Sequence, residues 1–129
     1  MAHEFPLRVY YEDTDFGGVV YYANYLKFIE RGRSEWLRAL GLDQKALKSD
    51  AGLVFAVRRV LADYLRPAVF DDALVVRTRL SRIGGARLDL LQEVTRGEVL
   101  LFTAEVTLVC MSLDGKAQRL PEALRALFA

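Results

Sequence analysis

The sequence predicts an α+β fold: one long amphipathic helix wrapped by a curved antiparallel sheet, in a single domain spanning residues 1–129. Three observations lead there. Between Tyr22 and Leu40 apolar residues recur at steps of three and four, as on one face of a helix. From Leu53 onwards, β-branched-rich runs largely alternate apolar with polar, as strands with one buried face do. The chain has 129 residues, 53% of them hydrophobic and 27% charged, which suits one compact core and leaves no room for a two-domain enzyme.

Taken in order, Leu7 to Tyr11 reads as a strand and Glu12 to Val20, with Gly17-Gly18, as a polar loop. The helix follows over Tyr22 to Leu40. Its apolar face carries Tyr22, Tyr25, Leu26, Ile29, Trp36, Leu37 and Leu40, while Lys27, Glu30, Arg31, Arg33, Glu35 and Arg38 take the other faces. Gly41 stops it. Asp43 to Ser49 is a short helix opening at an Asp N-cap and ended by Ala51-Gly52. Strands are expected over Leu53 to Tyr64, Leu74 to Ile83, Arg87 to Arg96 and Val99 to Met111. The breaks at Pro67 with Asp71-Asp72, at Gly84-Gly85 and at Gly97 suit an antiparallel meander. Pro121 to Phe128 closes the chain as a short helix, with Pro121 in its first turn. Val99, Leu101 and Val109 are expected to face outward on the last strand, enough apolar surface to predict self-association.

Several function classes fall away on composition. With 18 Lys+Arg against 17 Asp+Glu, a formal charge of +1, the chain has no overall pull toward nucleic acid or anionic lipid. No apolar run approaches the ~18 residues of a membrane span, so no stable membrane insertion is expected. Cys110 has no partner for an internal disulfide, and Met1 to Pro6 has no basic stretch followed by an apolar one; both point to a reducing, cytoplasmic setting. The single histidine, His3, removes His-based Ser or Cys triads and HExxH zinc sites. GxGxxG, P-loop and GxSxG patterns are absent, and Asp13-Thr14-Asp15 lacks the later ligands of a calcium loop. Neither metal nor cofactor is expected.

The chemistry-bearing stretch runs from Tyr10 to Tyr25, from strand through an acidic, glycine-bearing loop into the long helix. A helix N-terminus offers backbone N–H groups without intrahelical partners, so amides near Tyr21 to Asn24 can polarise a carbonyl or hold an oxyanion. Gly17 and Gly18 permit close approach of a ligand to backbone. The helix dipole favours negative charge just upstream, which suits a carboxylate acting as nucleophile or as base on water. Asp13 and Asp15 both qualify, and spacing does not choose between them. Asp residues before helices also serve as caps and turn formers.

Val9-Tyr10-Tyr11-Glu12-Asp13-Thr14-Asp15, then Gly17-Gly18-Val19-Val20-Tyr21, Asn24-Tyr25 and Glu30-Arg31 closely resemble the Tol-Pal-associated acyl-CoA thioesterases, which belong with the 4-hydroxybenzoyl-CoA thioesterases. The resemblance continues through Val57-Arg58-Arg59, Tyr64, Pro67-Ala68 and Asp71-Asp72. It implies a hotdog subunit that pairs through a continuous sheet into a homodimer, often doubled to a homotetramer, with active sites at subunit interfaces. By position, Asp15 matches the family's catalytic carboxylate and Tyr22 the residue whose backbone N–H faces the thioester carbonyl. Tyr11 lies beside the pocket by the same match. The Tol-Pal group typically has His where this chain has Tyr22; Tyr there is like the 4-hydroxybenzoyl-CoA enzymes.

The implied substrate is an acyl-CoA, with CoA present only as part of it. Its pocket is expected to draw on Tyr11, Gly17, Gly18, Val20, Tyr21 and Tyr25, with Phe16 and Phe28 as further aromatic candidates. Arg82 and Arg87, flanking the Gly84-Gly85 turn, are candidates for the CoA phosphates. The rival readings are a noncatalytic acyl-CoA-binding or partner-binding hotdog module and, third, a hotdog dehydratase, which usually works with a His that this chain supplies only at position 3.

Overall fold

The computed structural model of the protein describes residues 2–129. Five strands form one antiparallel sheet: β1 (His3–Arg8), β2 (Leu53–Tyr64), β3 (Ala73–Ile83), β4 (Arg87–Arg96) and β5 (Val99–Ser112), in the spatial order β1-β3-β4-β5-β2. Among the described residues three α-helices accompany it: α1 (Asn24–Ala39), α2 (Gln44–Ala51) and α3 (Glu122–Leu127). Phe28, Ile29 and Leu37 of α1 are buried in one core with Leu74, Val76, Leu90 and Val106 of the sheet. The expected meander holds for β3, β4 and β5. β2 is instead paired along its length with β5, from Leu53↔Ser112 to Tyr64↔Phe102, so residues 65–72 form a connection along one end of the sheet and not a hairpin turn.

β1 begins four residues before the expected Leu7 and ends at Arg8. Pro6 did not stop it, because an edge strand tolerates a residue without a backbone donor. The helix starts at Asn24, two residues later than its apolar period suggested.

Three residues depart from the simple patterns. Gly32 sits in the middle of α1, and a Cβ there would lie 2.5 Å from Val76 Cγ1, so the helix rests on β3 at a distance only glycine permits. Arg33, expected on the polar face, is 9% exposed; its Nη1 donates to Gln92 Oε1 at 3.1 Å, and Gln92 Nε2 donates to Ile29 O and Thr78 Oγ1. This satisfied polar bridge between helix and sheet makes burial tolerable. Leu101, expected to face outward, is fully buried. The β4–β5 register slips between Val94 and Thr95, leaving Leu101 as the extra residue of a bulge, and the alternation changes phase there. Val99 remains exposed and Val109 partly so.

Candidate active site

Beyond β1, Tyr11–Asp13 forms one 3₁₀ turn. Asp13 Oδ2 accepts the Tyr10 N–H at 2.7 Å, which closes the turn. The Asp13 carbonyl accepts two further bonds, from Tyr21 N–H and from Asn24 Nδ2, both at 2.9 Å. The following loop is a small hairpin, with Thr14 bridged to Val20 and Val19 bridged to Val69. Val20 N–H donates to Ala68 O at 2.9 Å, so the hairpin lies against the 65–72 connection. Gly18 turns its tip at φ +84°, a conformation glycine adopts without strain.

Asp15 stands in this hairpin with its backbone N–H on Val19 O and its backbone carbonyl accepting from Gly18 N–H. Its Oδ1 accepts the Gly17 N–H at 2.9 Å. Oδ2 has no protein partner among the described residues, and the side chain is exposed. Each carboxylate thus accepts one backbone N–H and keeps one oxygen without a protein partner among the described residues; they differ in setting, Asp13 half-buried in the turn and Asp15 exposed on the hairpin.

The start of α1 has selected its free donors. Val20 N–H is on Ala68 O, Tyr21 N–H on Asp13 O and Asn24 N–H on Tyr21 O at 2.8 Å. The N–H groups of Tyr22, Ala23 and Tyr25 have no protein partner among the described residues, the first two lying ahead of the helix and the third on a core residue. They are the orphan donors that a helix start offers to a carbonyl oxygen or oxyanion.

The other expected site residues divide. Tyr22 is 61% exposed, Tyr21 packs on it with ring centroids 5.0 Å apart, and Phe16 projects fully into solvent. Tyr11, 81% exposed, lines a surface hollow of about 570 Å³ with Tyr10, Glu12, Phe70 and Asp71; Asp15 and Tyr22 lie outside that hollow. Val20, Tyr25 and Phe28, expected at a pocket wall, are core residues in the protomer. The Val20 bridge turns its side chain inward, and Tyr25 stacks on Phe102 at 5.0 Å with an interplanar angle of 13°. Burial holds the Tyr25 hydroxyl above the usual phenol pKa, against the opposing hydrogen bond with the Ala68 backbone.

Arg82 and Arg87 are brought together, and with them Arg58 and Arg59, around a depression of about 340 Å³ that also includes Ser81 and Thr107. Register slips at Arg58 in β2 and at Ser81 in β3 re-aim the neighbouring side chains. Arg87 is partly neutralised by Asp89 at 3.2 Å. Arg58 and Arg59 carry no role in a reading of residue types alone, since only the β2–β5–β4–β3 order brings them beside the β3–β4 turn.

Tyr64 was also silent as chemistry. It ends β2, and its hydroxyl donates to the Tyr22 carbonyl at 2.9 Å. Among the described residues, no group of three or more His, Cys, Asp and Glu is placed to hold a metal ion. No helix among them is long and apolar enough to cross a membrane.

A helix packed on a wrapping antiparallel sheet, with an acidic hairpin at the helix start, defines the hotdog thioesterase class. The thioesterase-like superfamily matches residues 9–128, and the chain belongs to that family. It is 42% identical over 125 residues to the acyl-CoA thioesterase YbgC of Haemophilus influenzae, covering 96% of this chain and 92% of that protein. A comparable match, 42% over 125 residues, is found with the acyl-CoA thioester hydrolase YbgC of Escherichia coli, covering 95% of this chain and 92% of that one. Among solved structures, a probable thioesterase from Bartonella henselae superposes with a TM-score of 0.90 at 46% identity, covering 94% of this chain and all of that one.

Proposed function

We propose that the protein hydrolyses acyl-CoA thioesters to the free acid and CoA. The observation that carries this reading is the pair of unpartnered amides at Tyr22 and Ala23, fastened through Asp13 to the hairpin that presents Asp15. The thioester carbonyl accepts hydrogen bonds from the helix start, which stabilise the negative charge its oxygen gains on attack. Asp15 either attacks the carbonyl carbon, expelling CoA thiolate and leaving a mixed anhydride that water cleaves, or takes a proton from a water that attacks directly. Thiolate leaves readily, so no strong acid is required, in keeping with a chain whose one histidine is His3.

The names carried by the similar proteins support CoA as the leaving group, and the four arginines around the 340 Å³ depression offer its phosphates cationic partners. The exposure of Asp15 and Tyr22 supports a site completed by a second copy in a homodimer or homotetramer. Steady-state release of free thiol from a panel of acetyl-, butyryl-, benzoyl- and palmitoyl-CoA tests the reaction. Turnover of at least one member that disappears in Asp15→Asn is expected; binding without turnover across the panel would leave a noncatalytic acyl-CoA module.

A further inference from the structure

The peptide groups that own the Tyr22 and Ala23 amides are both held at their carbonyl ends. The Tyr22 N–H belongs to the peptide whose carbonyl is Tyr21 O, and Tyr21 O accepts Asn24 N–H at 2.8 Å. The Ala23 N–H belongs to the peptide whose carbonyl is Tyr22 O, and among the described residues no backbone N–H reaches that oxygen. It accepts instead from the Tyr64 hydroxyl at 2.9 Å, across 42 residues of chain.

We infer that Tyr64 is a positioning residue for thioester hydrolysis, clamping the Tyr22–Ala23 peptide so that the Ala23 N–H joins the Tyr22 N–H as a preset donor to the reacting carbonyl oxygen. The inference rests on the proposed thioesterase reaction. A planar peptide held at its oxygen has its N–H direction set as well, and accepting a bond at oxygen polarises the N–H at the other end of the same group.

The ring of Tyr64 is itself fixed. It meets Phe102 and Tyr25 edge-on, with centroids 5.0 and 5.5 Å away, and Tyr22 at 6.1 Å. Tyr64 pairs with Phe102 in the sheet, directly beside the β5 bulge, and the bulged Leu101 carbonyl accepts both Leu65 and Arg66 N–H groups at the point where β2 ends. The helix start is thereby referenced to the far edge of the sheet. Burial raises the Tyr64 hydroxyl above the usual phenol pKa, which keeps it a donor through the neutral range.

Tyr64→Phe removes the hydroxyl and keeps the ring. Turnover of the best acyl-CoA in the panel is expected to fall about three- to tenfold, the factor that one net hydrogen bond represents, with KM within twofold and the pH profile unchanged in shape. In the ligand-free variant, the Ala23 amide and Tyr22 carbonyl NMR resonances should shift. Wild-type turnover with an unaltered Tyr64→Phe kcat, or an unmoved Ala23 amide, overturns the clamp alone. A wild-type protein with no turnover of any acyl-CoA overturns the reaction, and with it any part for Tyr64 in it.

Discussion

Asn24 reaches back to Asp13, its Nδ2 donating to the Asp13 carbonyl at 2.9 Å, so the first residue of α1 is tied to the acidic turn before the hairpin. That bond and the Tyr21 N–H on the same oxygen make hairpin and helix start one unit. Its consequences can be measured.

Asp15→Asn keeps the shape and the Gly17 N–H bond at Oδ1 while removing the charge. We expect kcat to fall by at least about 10²-fold, on the scale of losing a major transition-state contact, with acyl-CoA binding retained. Asp13→Asn should spare kcat far more, since Asp13 holds Tyr10. Thiol release with both variants checks the pair.

Gly32→Ala adds a methyl 2.5 Å from Val76 Cγ1. Helix propensity alone would favour Ala by about 1 kcal/mol, but overpacking costs about 1–3 kcal/mol, so a net loss of stability is expected. Val76→Ala in the same chain should recover part of it, and denaturant unfolding of the double-mutant cycle reads the coupling.

The arginine cluster predicts a split between substrates. Arg58→Ala and Arg82→Ala should raise KM for an acyl-CoA several-fold and weaken its salt dependence, while leaving KM unchanged for the same acyl group on pantetheine, which lacks the nucleotide phosphates. Equal effects on both thioesters would place the CoA phosphates elsewhere.

Asp72 clasps the connection on which the Asp15 hairpin lies, accepting Val69 N–H and Arg96 Nη1, both at 2.9 Å. Burial pushes its carboxyl pKa up, but these bonds and the Arg96 charge outweigh it and the net shift is downward. A carboxyl lowered on folding contributes stability above its unfolded value of about 3.9, which is lost as pH falls through the lower folded value. Asp72→Asn should therefore cost stability at pH 7 and little at pH 2, as read by urea unfolding at the two pH values.

Sedimentation equilibrium should give a mass of two or four times the 14.6 kDa chain. Val57, Val60 and Leu61 are exposed on β2, whose outer edge is unpaired in the protomer, and a monomer at micromolar concentration would count against a shared site.

The amino-acid order by itself determined the parts that rest on local period and local chemistry. A helix from its three-and-four spacing, four strands from alternation, and an acidic loop abutting orphan amides were all legible, and the linked residues around Asp15 pointed to the family. Tertiary structure decided what depends on partners distant along the chain. That Asp13 is half-buried in the turn while Asp15 stands exposed on the hairpin follows from which amides fold back on that stretch. The bulge at Leu101 reverses an alternation that counting by two reads as continuous. Arg33 is buried because Gln92, 59 residues away, receives it. Tyr64 meets Tyr22 only because β2 crosses to the far edge of the sheet, and a hydrogen bond across 42 residues leaves no periodic trace in the sequence.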